Sequence, residues 1–471
     1  MAQPIRVDST SAAPTPSSTS DSIERSPTPE RVRSRIDSVD LLRGLVMVIM
    51  MLDHTRDFVH HDTFFYDATD MTRTYPVLFL TRWVTHFCAP IFVFLSGAGS
   101  YFQLARGKPK AELSRFLVKR GLWLILLEFT LIRFLVVWNV DYSQFLGMPQ
   151  VIWVFGCSMI LLAGLIYLPL SVVTVFGLTM IGLHNLLDVI KVTPWQGPGT
   201  PAPDLLGGIW MVFHQSGVLL PFGFPGPVLL ILYPLIPWLG VMAVGYTMAS
   251  VYDRPAEERR RWLLRWGGAI TVGFILLRAT NLYGDPQKWS AQKSAVMTVL
   301  SFLNTTKYPP SLLYLMMTLG PALLGLALWE KYNSGSRDMV QSGSPGPLSR
   351  MLITYGRVPL FFYFLQWTYA HSAGYLLSLA VGKPTSIYFG LPGFGGPPPA
   401  NVGFDLWVVY AVWLTGVLLL YPLCKWYASV KARRRDWWLS YLWSHPPAPT
   451  SGPAGGRGGG GKLRTLSRNA W

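Results

Sequence analysis

The chain has 471 residues, of which 51% are hydrophobic and only 14% charged. Ordinary globular proteins carry about 25% charged residues, so this composition excludes a string of soluble domains and points to a polytopic membrane protein. Net charge is +16, yet the basic residues sit in short clusters between apolar runs, which favours topology determinants over a nucleic-acid surface.

Residues 1–34 are rich in Ser, Thr, Pro and Ala, and no apolar stretch follows a basic segment there, so a disordered cytoplasmic tail without a cleavable signal peptide is expected. Ten apolar runs follow, each long enough for a hydrocarbon core of about 30 Å. They cover 39–61, 77–105, 114–137, 151–169, 170–190, 226–251, 261–280, 309–329, 351–381 and 404–428. Each must be helical, because a bilayer offers no water to satisfy open backbone groups. Residues 431–471, basic and then rich in Pro and Gly, read as a second disordered cytoplasmic tail. The predicted fold is therefore all-α, a bundle of about ten transmembrane helices filling 35–430.

Charge orients the bundle. Arg25, Arg31, Arg33 and Arg35, the cluster Arg106 to Arg120, the cluster Arg254 to Arg265, and Lys425 to Arg435 all fall on one side of a ten-span chain. The opposite connections hold few basic residues, among them Arg73, Lys191, Lys288, Lys293, Lys307 and Lys383. The positive-inside rule then places both termini in the cytoplasm. The opposite connections are also the long ones, which suits an extracytoplasmic vestibule.

Ionisable residues at membrane depth are costly and usually face a bundle interior or a wet cavity. In the first run, Arg43 and His54 are eleven residues apart, within about 20° of one helical face and about 16 Å along the axis. Asp40 and Asp57 extend the same stripe by one turn at either end. In the second run, Arg82 and His86 share a face at four-residue spacing, at a depth where His86 can meet His54. Bland readings stand beside these: an interhelical hydrogen bond for either histidine, interface positions for Asp53 and Arg56, a snorkelling side chain for Arg43. Glu128 and Arg133 read as partners of neighbouring helices, His184 and His214 as surface histidines, and His60 and His61 as caps able to join a vestibule. Gly97-Ala98-Gly99-Ser100 reads as a close-packing face. Cys88, Cys157 and Cys424 lie too far apart for a disulfide framework, and no metal-ligand spacing occurs.

The segments Ser38-Val39-Asp40-Leu41-Leu42-Arg43-Gly44 through Asp53-His54, Thr81-Arg82-Trp83-Val84-Thr85-His86, and Phe92-Val93-Phe94-Leu95-Ser96-Gly97 resemble those of transmembrane acyltransferases. The resemblance is to the bacterial branch of the heparan-α-glucosaminide N-acetyltransferase catalytic-domain family. Gln150-Val151-Ile152-Trp153, Asn281 to Pro286, Asn304 to Pro310 and Gly356-Arg357-Val358-Pro359-Leu360 extend it over about 35–430. The resemblance implies a cytoplasmic acyl-CoA, such as acetyl-CoA, whose acyl group passes to an extracytoplasmic acceptor. It also places Arg43 and His54 in register with an arginine and a histidine of the wider superfamily. Two departures are visible: the glucosaminide enzyme has asparagine where this chain has His54, and Gln366 stands where relatives often show histidine, with His371 five residues on.

The sequence therefore reads as a multi-pass acyltransferase of the cell membrane, acting on an extracytoplasmic glycan or other hydroxyl or amine acceptor. His54 is the expected general base or acyl carrier, oriented by Asp57, with His86 a second polar group in the site. Arg43, Arg120 and Arg357 are the expected acyl-CoA contacts, and no metal is called for. The bilayer, acyl-CoA and the acceptor are the expected partners, nucleic acid is not, and a homo-oligomer is compatible with the reading. Two other classes stand beside it: a secondary transporter using the same Asp, His and Arg groups as a relay, and a non-catalytic anchor of an envelope assembly.

Overall fold

The structure, a computed structural model, describes residues 30–335, 346–390 and 397–434. The first predicted run folds as α1 (Glu30–Val59). The second divides into α2 (Pro76–Thr85) and α3 (Cys88–Ala105). Pro90 has no N–H to give the carbonyl of His86 four residues back, and the Tyr314 hydroxyl donates to that carbonyl instead, at 2.8 Å. The third run is α4 (Lys110–Leu127), a π-helical turn (Glu128–Ile132) and α5 (Arg133–Val137).

A short strand, β1 (Phe145–Gly147), leads into α6 (Val151–Leu165) and α7 (Leu170–Leu183). After α8 (Leu205–Phe213) come β2 (Gly217–Leu219), β3 (Val228–Ile231) and α9 (Leu235–Met248). The predicted run 226–251 is thus corrected at its start, where β3 replaces helix. Val228–Ile231 is apolar enough for either state, but Pro225, Pro227 and Pro234 bracket it and withhold the amide hydrogens a helix needs. The chain continues through α10 (Ala256–Thr280), α11 (Ala295–Leu303), α12 (Leu312–Gly335), α13 (Pro347–Arg357), α14 (Pro359–Ala380) and α15 (Leu406–Arg433). The predicted run 351–381 is therefore two helices, parted at Val358 because the proline after it opens a new helix.

Every predicted run carries a helix. Among the described residues, six helical segments are long and apolar enough to cross a membrane: Pro76–Ala105, Leu170–Val189, Leu235–Asp253, Ala256–Thr280, Leu312–Glu330 and Leu406–Arg433. Val151–Leu165 is apolar but shorter. The outward faces fit a lipid environment, for Val272, Ile275 and Leu276 of α10 and Leu414, Leu418 and Leu419 of α15 are exposed. Of the predicted tails 1–34 and 431–471, only 30–34 and 431–434 are described. Glu30 opens α1 and Arg433 closes α15, and the rest of both tails lies outside the described residues.

Helix α1 is held by α13, α14 and α15, while α3 and α7 pack on α9, α4 on α6, and α10 on α12. The α3–α9 crossing is close: a Cβ at Gly97 would sit 2.1 Å from the Met242 carbonyl oxygen, and one at Gly245 2.0 Å from that of Phe94. The predicted small-residue face is therefore a packing face. In the sheet, β3 lies between β1, to which it is parallel, and β2, to which it is antiparallel. It delivers Met148, just past β1, and Leu232 and Tyr233, just past β3, to the wall of the cavity described next.

Candidate active site

Beside α1 lies a cavity of about 340 Å³, within the range of small-molecule sites. Arg43, Met47, Met50, Asp53, His54 and Asp57 line it from α1, so it follows that helix for about 20 Å. Of the predicted stripe, Arg43, His54 and Asp57 line this slot, and Asp40 lies off its wall. Its middle is apolar, with Phe92, Leu95, Leu124 and Phe155, while Ser96, Ser100 and Gln103 add hydroxyl and amide groups.

One end is basic. Arg120 lines the cavity from α4 and is 5% exposed, and its Nε and Nη1 have no hydrogen-bond partner among the described residues. Arg43 is equally buried but engaged: its Nη1 donates to Asp40 Oδ1 at 3.0 Å and to the Gly356 carbonyl at 3.2 Å. That geometry depends on two glycines, because a Cβ at Gly44 or Gly356 would fall 1.8 Å from a carbonyl oxygen of the opposing helix. Arg357 stands apart from the cavity wall, its side chain 53% exposed and its Nε 3.6 Å from Asp40 Oδ2.

At the other end a charge network surrounds Asp53. Arg82 Nη1 donates to both Asp53 oxygens, at 2.7 and 2.6 Å, and Arg56 Nη2 lies 2.9 Å from Oδ1. Asp57 lines the cavity too, but it is paired with Arg56 at 2.6 Å and makes no hydrogen bond to His54 among the described residues. The expectation that Asp57 orients His54 therefore meets a different geometry: the adjacent guanidinium claims the carboxylate. Trp367 holds the imidazole instead, stacked at 3.9 Å between ring centroids, with Tyr363 edge-on at 5.9 Å. His54 Nδ1 has no hydrogen-bond partner among the described residues. In the loop leading to α2, Asp67 is held below the usual carboxylate range; burial pushes it up, but Arg82 and the Thr69 amide and hydroxyl outweigh burial.

His86 is buried but lies off the cavity wall, its ring edge-on to Tyr314 at 5.5 Å. The proline-induced break between α2 and α3 turns it away, while Thr85, Cys88 and Ala89 line the cavity in its place. His371 is likewise built into the fold, stacked between Trp138 and Phe58 with both ring nitrogens on carbonyl oxygens. His60 and His61 anchor the chain at Phe404 and Val402. Glu128 accepts the Trp153 amide and so caps α6 from a neighbouring helix, and Arg133 binds the carbonyls of Asn139, Asp141 and Phe145. Lys307, Gln150 and Tyr233 also line the cavity, although the sequence marked none of them as a site residue. They come from connections, where periodicity gives no face to read.

The residues brought together are thus His54, Asp57, Arg43 and Arg120, joined by Asp53 and Arg82; His86 and Arg357 stay outside the wall. No group of three His, Cys, Asp or Glu side chains able to hold a metal occurs among the described residues. No curated protein matches the chain. The family model described as heparan-alpha-glucosaminide N-acetyltransferase, catalytic, matches residues 35–282. That segment carries α1 to α10, with Arg43, Asp53, His54, Arg82 and Arg120, and stops short of the resemblance drawn out to about 430. With more than half its length matched, this helical membrane chain belongs to the heparan-alpha-glucosaminide N-acetyltransferase catalytic family, a membrane acyltransferase type.

Proposed function

We propose that this protein moves an acetyl or similar acyl group from cytoplasmic acyl-CoA to an extracytoplasmic hydroxyl or amine acceptor, through a multi-pass bundle of about ten spans with both termini in the cytoplasm. The observation that carries the reading is one continuous cavity that has, among the described residues, two guanidinium nitrogens of Arg120 without a hydrogen-bond partner at one end and His54 Nδ1 without one at the other. Arg120, with Arg43 beside it, suits a CoA phosphate, because guanidinium–phosphate contacts are charge-assisted and geometrically specific. The apolar middle suits the pantetheine arm. A donor bound this way presents its thioester near His54.

His54 takes the proton from the acceptor O–H or N–H as the new bond to the acyl carbon forms, and returns it to the departing sulfur. Trp367 restricts the plane of the imidazole during that transfer. The Asp53 network keeps surrounding charges fixed, so little reorganisation accompanies the reaction. The protein acts in the cell membrane, and the acceptor is a glycan or a small molecule.

The test is detergent-purified protein incubated with acetyl-CoA. Saturable binding with release of free CoA, faster when a hydroxyl or amine acceptor is added, is the expected result. No binding and no CoA release would overturn the reading. Its direction has a separate check. Cysteines placed at 108 and 259 should resist an impermeant thiol reagent in intact cells, while cysteines in 191–225 and 281–308 should react, and the reverse pattern would turn the bundle over.

A further inference from the structure

We propose that α8, in the connection 191–225, lies in the membrane interface with its outer stripe in lipid, so that the partner of this face is the bilayer surface at the end of α7. Leu205, Leu206, Ile209 and Phe213 form the stripe at three- and four-residue spacing, and all are exposed, Leu206 by 75% and Ile209 by 47%. A helix that faces water carries polar residues on its outer side. This stripe carries none, and from Leu205 to Tyr252 the chain contains no Asp, Glu, Lys or Arg.

The opposite side of α8 is fastened to the protein. Asp204 caps the helix by accepting the Gly207 amide at 2.7 Å, and Met211 is fully buried against Leu219 of β2 and Ile231 of β3. Trp210 Nε1 donates to the Ile190 carbonyl at 3.1 Å, and the His214 ring meets Asp188 at 3.0 Å. The Gln215 side chain accepts the Val192 amide at 2.9 Å and donates to the Val192 carbonyl. These last ties all fall within 188–192, where the apolar segment Leu170–Val189 ends. That segment is long enough to span, and its exposed Val175, Leu178, Leu186 and Val189 give it a lipid-facing side that reaches its last residues. A helix pinned there is held at the level where hydrocarbon gives way to headgroups. An indole is favoured at that level because its apolar body and its N–H meet different surroundings, and Trp210 supplies one. The leucines, isoleucine and phenylalanine of the stripe then gain the burial that water denies them. Because β3 runs on to Leu232 and Tyr233, a lipid-seated α8 also braces the cavity wall.

The test places a nitroxide on one introduced cysteine at a time in the full purified chain, reconstituted in phosphatidylcholine liposomes. The sites are Leu206→Cys and Ile209→Cys, with Lys288→Cys, an exposed charged position in 281–308, as the aqueous reference. Each replaced side chain is exposed, so folding does not depend on it, and labelled wild type with Cys88, Cys157 and Cys424 is the blank. Power-saturation EPR compares molecular oxygen, which concentrates in lipid, with a neutral water-soluble nickel chelate. The ratio of oxygen to nickel collisions at 206 and 209 should exceed that at 288 by about tenfold or more, as for side chains seated in the apolar part of the interface. A ratio close to that at 288 would put the stripe in water and overturn the proposal. Exclusion of both reagents would overturn it too: with dipolar broadening between labels the occupant is a second copy, and without it the chain covers its own stripe. Thiol labelling of 191–225 should accordingly spare the stripe and reach residues off it. Turning the bundle over would change the leaflet, extracytoplasmic on the proposed orientation, and not the collision ratio, so failure of that reading shows separately.

Discussion

The two ends of the cavity handle buried charge in opposite ways. Around Asp53, two guanidinium groups lie within 3 Å of one carboxylate, and Asp57 is paired through Arg56. At Arg120, a buried guanidinium has no carboxylate partner among the described residues, and its Nε and Nη1 make no hydrogen bond there. A bilayer makes an unpaired charge costly, and the proposed function gives this one a ligand, the acyl-CoA phosphate. A network whose charges are paired marks something else: a frame that holds its neighbours still. The Asp53 end is organised by its own ion pairs, and on the proposed function the donor would complete the Arg120 end.

His54 stands against the organised end, and its replacement should give the largest effect. General-base action is typically worth about 10²–10⁴-fold, so His54→Ala should lose that much turnover while acetyl-CoA still binds. Removing a ring that faces a cavity takes little from the packing, so expression and thermal stability should stay near wild type. Acyl-transfer rates on purified protein, beside acetyl-CoA affinity, decide it. Near-normal turnover would take the chemistry away from this imidazole.

The contrast between frame and ligand site is tested by a pair of substitutions. Asp53→Asn leaves Arg82 and Arg56 buried without their shared carboxylate, and breaking a buried pair from one side costs about 3–5 kcal/mol. Its thermal unfolding in detergent should fall well below wild type. Arg120→Gln removes a cation that has no carboxylate partner among the described residues, so stability should hold or rise, while the acetyl-CoA Kd should increase about tenfold or more. If Asp53→Asn is as stable as wild type, or if Arg120→Gln unfolds, the two ends do not differ in the way described.

Much of this was legible in the sequence because a helix repeats. The Arg43–His54 stripe follows from residue spacing alone, and the wall of the cavity follows the stripe. What was hidden depends on partners that spacing does not reveal. Asp53 reads as an interface residue until Arg82, on another helix, meets both its oxygens. Asp57 sits on the right face, yet the residue beside it claims its charge. His86 has the right depth, but Pro90 breaks the helix and turns it toward Tyr314. Lys307 belongs to a connection whose position is set by Asp285 and Arg278, neither of which its own segment announces.

The smallest expected effect belongs to Arg357, and it sharpens the comparison most finely. Its side chain is 53% exposed, and Asp40, its partner at 3.6 Å, is shared with Arg43 at 3.0 Å. Exposed ion pairs are worth about 0–1 kcal/mol, so Arg357→Ala should change the acetyl-CoA Kd by less than about fivefold. Any such change should shrink further in high salt, because an exposed charge is screened where a buried one is not. Arg120→Gln should keep most of its effect under the same conditions. Titrations of both variants at low and high ionic strength make the measurement. A Arg357→Ala loss as large and as salt-resistant as that of Arg120→Gln would mean that the exposed guanidinium folds into the cavity when the donor binds. The basic end would then be assembled by two arginines from opposite walls, with Asp40 surrendering one of them.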